Sequence, residues 1–85
     1  FGEDNRPPVF IAERLATVGE VRRMGRTRSH LAFFVRSGDA AYRTVYFGGT
    51  ADAARIGGTL TFAYEPRINT FNGASEIELN LKRIL

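Results

Sequence analysis

The side chains best suited to chemistry in these 85 residues are arginines and aromatics. Eleven of the twelve basic residues are arginine, Lys82 being the exception. From Arg14 to Arg43 seven arginines (14, 22, 23, 26, 28, 36 and 43) stand against Glu20 and Asp39, a local charge of +5. The remaining positions carry five basic and seven acidic residues, a local −2. Arginine forks onto phosphate and stacks on bases, so a run of this kind is suited to a nucleic-acid strand. The plain alternative is a solvated arginine-rich surface.

The catalytic inventory is poor. There is one histidine, no cysteine, and no close pair of carboxylates on an inward-facing strand. His30, at a strand start, reads as a capping or surface residue rather than a metal ligand. Glu76 and Glu78 share a strand face, but alternating carboxylates on an outer face are solvated more often than catalytic. Two-metal nuclease chemistry needs several carboxylates or histidines converging on one point, and the chain offers no such cluster. No phosphate-cradling or dinucleotide glycine pattern is present either. The domain alone is expected to catalyse nothing, with no catalytic residue, no metal ligand and no cofactor of its own.

Strands must position these side chains, because period-2 alternation punctuated by turn residues runs through the chain. Phe10 to Arg23 is a long first strand, bent or bulged near Gly19, and Met24 to Ser29 is a basic turn. His30 to Arg36 alternates, with Leu31, Phe33 and Val35 inward and Ala32, Phe34 and Arg36 outward. Ser37-Gly38-Asp39 makes a hairpin. Tyr42 to Phe47 follows, read with Val45 and Phe47 inward and Tyr42, Thr44 and Tyr46 outward. Thr50 is expected to cap one short helix over residues 51–55, which Gly57-Gly58 stops. Thr59 to Ile68 puts Leu60, Phe62 and Tyr64 inward, and Pro66 marks an edge or bulge. Residues 69–73 read as a loop. Glu76 to Ile84 closes the chain with Ile77, Leu79 and Leu81 inward.

Five strands with one short helix between the third and fourth is the order of an OB-fold, a small Greek-key barrel in the all-β class. A five-stranded barrel of SH3 type would usually lack that helix. An OB-fold holds an oligonucleotide across its second and third strands, between the loops after strands one and four. Here that face carries Phe34, Arg36, Tyr42 and Tyr46. One flanking loop carries Arg22, Arg23, Arg26 and Arg28; the other carries Arg67, Asn69, Phe71 and Asn72. Each stacked base contributes about 1–3 kcal/mol, while guanidinium groups follow the phosphates.

Composition bounds the rest. At 44 % apolar and 25 % charged this is one ordinary globular domain, stable by about 4–13 kcal/mol. Without cysteine there is no disulfide scaffold and no thiolate metal site. No apolar run spans a membrane and no signal peptide is visible. Residues 1–8 read as a lead-in linker from a preceding domain and 9–85 as the OB-fold, so the chain is expected to be a module of a larger protein.

The segments FGEDNRPPVF, VRRMGRTRSHLAFFV, VYFGG and INTFNGASEIELNLKRI resemble the C-terminal OB-fold of the RecJ single-strand-specific exonucleases. The matching positions are Phe1, Gly2, Asn5, Pro8 and Phe10; His30 and Leu31; Phe47 and Gly48; and Asn69, Phe71, Asn72 and Gly73. The resemblance implies a bacterial, cytoplasmic parent that degrades single-stranded DNA from the 5′ end in repair and recombination. Its manganese or magnesium site would lie in catalytic domains whose Asp-His-His motif is absent here. This module would hold the single strand and help keep duplex from the active site. Two roles remain open: a single-stranded-DNA-binding module, or an interaction module packing on its own catalytic domains or on a single-strand-binding protein. The apolar Ala32 and Phe34 on the outer face also suit the second.

Overall fold

The computed structural model describes residues 8–85; the lead-in linker lies outside them except for Pro8, and so does the side chain of Phe71. The strands are β1 (Phe10–Met24), β2 (His30–Ser37), β3 (Ala40–Tyr46), β4 (Thr59–Phe71) and β5 (Ala74–Ile84). A 3-10 helix, Gly49–Arg55, joins β3 to β4. They form a closed barrel in the order β1-β2-β3-β5-β4. The order and topology are those of an OB-fold.

Closure depends on β1 serving two neighbours. It pairs with β4 from Phe10 to Ala16 and with β2 from Ala16 to Met24. Two irregularities let it bend. The first lies between Ala12 and Leu15, where Arg14 takes a φ of 53° and its N–H donates to Thr61 Oγ1 at 3.0 Å. The second lies between Val18 and Arg22, where Gly19 takes a φ of 73°. Such bulges increase local twist and turn a strand from one sheet to the next. The bend expected near Gly19 is therefore present.

Leu31, Phe33 and Val35 from β2 and Leu60 and Phe62 from β4 fill the barrel with Leu79 and Leu81 from β5, all buried. Each large side chain so buried contributes about 1.5–3 kcal/mol. Ile56, after the helix, packs into the same core.

The faces of β3 are the reverse of the sequence reading. Directly opposed residues on neighbouring strands share a face. Tyr46 pairs with Leu31, Thr44 with Phe33 and Tyr42 with Val35, so these three point inward. Thr44 is fully buried, and both tyrosines pack against the core. Arg43, opposite Phe34, points outward. Val45 shares the outer parity yet is also buried, and Phe47, read as inward, is exposed past the strand end. Both parities of β3 carry apolar residues, so alternation alone did not distinguish them. A one-residue error then inverts every assignment.

Three smaller corrections follow. The expected short helix is a 3-10 helix whose N-cap is Gly48 with a φ of 70°, and Thr50 makes no cap. Residues 69–71 belong to β4, which turns through Asn72 and Gly73 alone, with φ values of 51° and 79°. Positive φ at both central residues defines the type I′ hairpin that Asn-Gly favours. Ile77 is 53 % exposed, because β4 and β5 run on past the barrel. Beyond Tyr64 and before Glu78, β4 and β5 keep only each other as register partners. Pro66 lies on this edge stretch, where its missing N–H costs no ladder bond.

Two side chains tie the helix end of the barrel together. His30 Nδ1 accepts the Gly48 N–H at 2.8 Å, and its ring meets Phe47 edge-on with centroids 5.1 Å apart. Tyr46 lays its ring against Gly49, leaving no room for a Cβ, and donates its hydroxyl to Asp52 Oδ2 at 2.7 Å. That hydrogen bond raises the phenol above the ordinary 10.0; burial and the carboxylate's charge add to the shift, and Arg55 opposes it.

Two outcomes are expected. Gly49→Ala should destabilise the fold by about 1–3 kcal/mol in urea unfolding, since the new methyl meets a packed ring; an unchanged midpoint would contradict this packing. The folded state holds the Tyr46 proton more tightly than the unfolded chain. Its stabilisation is thus complete below pH 10.0 and is lost as pH rises through the higher folded value. Tyr46→Phe should be less stable at neutral pH and should lack that part of the alkaline decline. Parallel stability curves for both proteins from pH 8 to 11 would refute the contact.

Candidate nucleic-acid interface

Strand pairing arranges the outer face in rows. One row runs Val18–Phe34–Arg43–Glu78–Arg67 across β1, β2, β3, β5 and β4. The next runs Arg22–Ala32–Val45–Asn80–Glu65. Beyond Phe34, Arg36 pairs with Ala16 and Ala41. Small residues thus alternate with one aromatic and several guanidinium groups on β1–β3, and carboxylates occupy β5 and β4.

The face is concave. A groove of about 630 Å³ lies over β1–β3, floored by Ala32 and Ala41 and walled by Val18, Gly19 and Phe34. Arg22 and Arg43 stand at its sides, with Glu20 at the bulge. Gly19 belongs here because the bulge needs a left-handed residue and a Cβ-free one keeps the wall low. A second hollow of about 480 Å³ shares Phe34, Ala41 and Arg43 and continues past Tyr42 toward Ser75, Glu76 and Ile77. Phe34 is 46 % exposed between the two.

Arg43 is the polar centre. Its Nη1 donates to Glu78 Oε2 at 2.6 Å and its Nη2 lies 4.0 Å from Met24 Sδ. The arginine side chain is 41 % exposed and the glutamate 16 %. On the ribbon side, Glu65 lies 3.4 Å from Lys82 Nζ and 3.7 Å from Arg67 Nε.

The sequence-expected residues divide accordingly. Arg22 and Phe34 line the groove, and Arg36 lies one row from it. Arg26 and Arg28 are exposed on the turn after β1, where Arg28 takes a φ of 56° and donates its backbone N–H to Gly25 at 3.1 Å. Arg23 is exposed but opposes Leu31, on the inner parity. Tyr46 lies on the inner parity at the helix end; Tyr42 shares that parity but lines the second hollow beside Phe34 and Arg43. Arg67 and Asn69 lie on the acidic ribbon, opposite Glu78 and Glu76, and Asn72 is in the hairpin turn. The second flank is therefore a strand pair rather than a loop.

Arg43 was missed, and the same inversion that promoted the tyrosines hid it. The signal was available. Counting back from the two-residue turn Gly38-Asp39 pairs Val35 with Tyr42 and Phe34 with Arg43.

Among the described residues no group of three His, Asp or Glu side chains could hold a metal ion, and no helix is long and apolar enough to cross a membrane. No match is found among curated proteins or among solved structures. The model of the RecJ OB domain matches residues 1–83, and with the barrel topology and the outer-face groove on the same chain, this protein belongs to the RecJ OB domain family.

Proposed function

We propose that this chain is the single-stranded-DNA-binding module of a RecJ-like 5′→3′ exonuclease acting in repair and recombination in the bacterial cytoplasm. The observation that carries the reading is the groove on β1–β3, with Phe34 in its wall and Arg22 and Arg43 at its sides. From Arg22, β1 itself leads on to the arginine-bearing turn at residues 25–29. An exposed ring supplies a stacking surface for any base, and the arginines supply phosphate contacts without sequence preference. Hydrolysis would belong to the parent's catalytic domains, where manganese or magnesium would activate water; nothing in the described residues takes part in that step.

A second reading, docking on the parent's catalytic domains or on a single-strand-binding protein, is favoured by one observation. Past the barrel, Ile68 is 76 % exposed and its cross-strand partner Ile77 53 %. Beside them, Pro66, Tyr64 and Leu15 line an apolar hollow of about 270 Å³.

Titration with fluorescent single-stranded and duplex oligonucleotides separates the two. Three phosphate contacts, from Arg22, Arg26 and Arg28, predict about a twentyfold loss of single-strand affinity for a fourfold rise in salt. Phe34→Ala should weaken single-strand binding about tenfold at fixed salt, within the range for one stacked base. No binding even at low salt would remove the DNA-holding reading and leave the docking one.

A further inference from the structure

The outer face is divided by charge along a line. On one side, Arg22 of β1 leads to Arg26 and Arg28 of the turn, with Glu20 the one carboxylate lining the groove there. On the other, Glu76 and Glu78 of β5 and Glu65 of β4 form a carboxylate border. Between them the groove floor is Ala32 and Ala41 beside the ring of Phe34. Arg43 stands at the line, and Glu78 already accepts one of its hydrogen bonds at 2.6 Å.

Glu65 is paired with Lys82 and Arg67 and Glu78 with Arg43, so Glu76 is the border carboxylate that makes no ion pair among the described residues. Phosphates are drawn instead to Arg22, Arg26 and Arg28, which make none among the described residues either. Strands in a sheet lie about 4.8 Å apart, so the path from β1 to β5 over the curved outer surface of β2 and β3 is about 14 Å. That span leaves room for a sugar–phosphate chain on one side and its bases on the other. From this layout we infer that a bound strand lies asymmetrically, its backbone over β1 and the 25–29 turn and its bases laid across Phe34 toward Arg43 and β5. Arg43 is then a base contact. Its charge is largely balanced by Glu78, which also fixes the guanidinium plane, so the group offers a flat stacking surface rather than a phosphate fork. Glu78 is the positioning residue for that surface.

This inference rests on the single-strand reading above, and the experiment keeps the two apart. The probes are an oligothymidylate and an abasic strand of the same length, titrated at several salt concentrations. Arg43→Ala should weaken oligothymidylate binding about tenfold, change abasic binding less than about twofold, and leave the salt slope unchanged. Arg43→Lys keeps the charge but loses the plane, so it should behave like Arg43→Ala; it also covers the case in which alanine opens the barrel. The double variant Arg26→Ala/Arg28→Ala should weaken both probes equally and flatten the slope by about 1.4, two phosphate contacts at about 0.7 each. Glu78→Gln, which leaves Arg43 an unpaired cation, should steepen the slope by about 0.7.

The inference is overturned if Arg43→Ala costs as much on the abasic strand as on oligothymidylate and flattens the slope, or if Arg43→Lys retains full affinity. Either result makes Arg43 a phosphate contact and puts the backbone over β3. If the unaltered protein binds neither probe at low salt, the single-strand reading fails and takes this inference with it.

Discussion

The barrel is closed by one short seam. β3 and β5 run parallel and meet over three register pairs, Arg43 with Glu78, Thr44 with Leu79 and Val45 with Asn80. Parallel neighbours cannot be joined by a tight turn; here the chain takes the 3-10 helix, the whole of β4 and the Asn72-Gly73 hairpin to return. Inside the seam, Thr44 and Leu79 are buried in the core. Outside it, the Arg43–Glu78 bond spans the same two strands. An exposed ion pair contributes about 0–1 kcal/mol, so the seam holds mainly because its inner side is packed. The ion pair matters more for what it places on the surface: a guanidinium group at the middle of the outer face, beside Phe34.

Much of the functional layout follows from that closure. Because β5 lies next to β3, the carboxylates of Glu76 and Glu78 border the basic strands instead of facing away from them. Because β1 bends at Gly19, Arg22 reaches the same face as Ala32 and the groove gains a low wall. The extended β4–β5 ribbon is the other product. It carries Ile68 and Ile77 beyond the barrel, where the inward parity of each strand has no core left to enter. One face of the domain thus carries an arginine-flanked groove and one end carries exposed apolar side chains.

The fold was legible wherever a strand had one apolar and one polar face. β2 and the barrel part of β4 read correctly for that reason, and the bulge at Gly19 and the helix position followed from glycines. β3 failed because Tyr42, Val45, Tyr46 and Phe47 leave both parities apolar. Ile77 failed because alternation reports parity but not whether the barrel extends that far. Residues 69–71 read as loop because Asn69, Asn72 and Gly73 cluster there as turn residues, although Thr70 and Phe71 favour strands and Asn-Gly alone marks the turn. The family was legible from glycines, asparagines and aromatics at turns and strand ends, positions that preserve a fold. The central residue of the outer face was not, because Arg43 reaches prominence only through its neighbours on β2 and β5.

The account's central claim is that the β1–β3 face receives the strand. Backbone amide shifts of labelled protein titrated with a short oligothymidylate test it most directly. The account predicts perturbations at Gly19, Arg22, Ala32, Phe34, Ala41 and Arg43 and on the 25–29 turn, with Ile68, Asn72 and Gly73 unmoved. Perturbations confined to the β4–β5 ribbon, or none at saturating oligonucleotide, would contradict it.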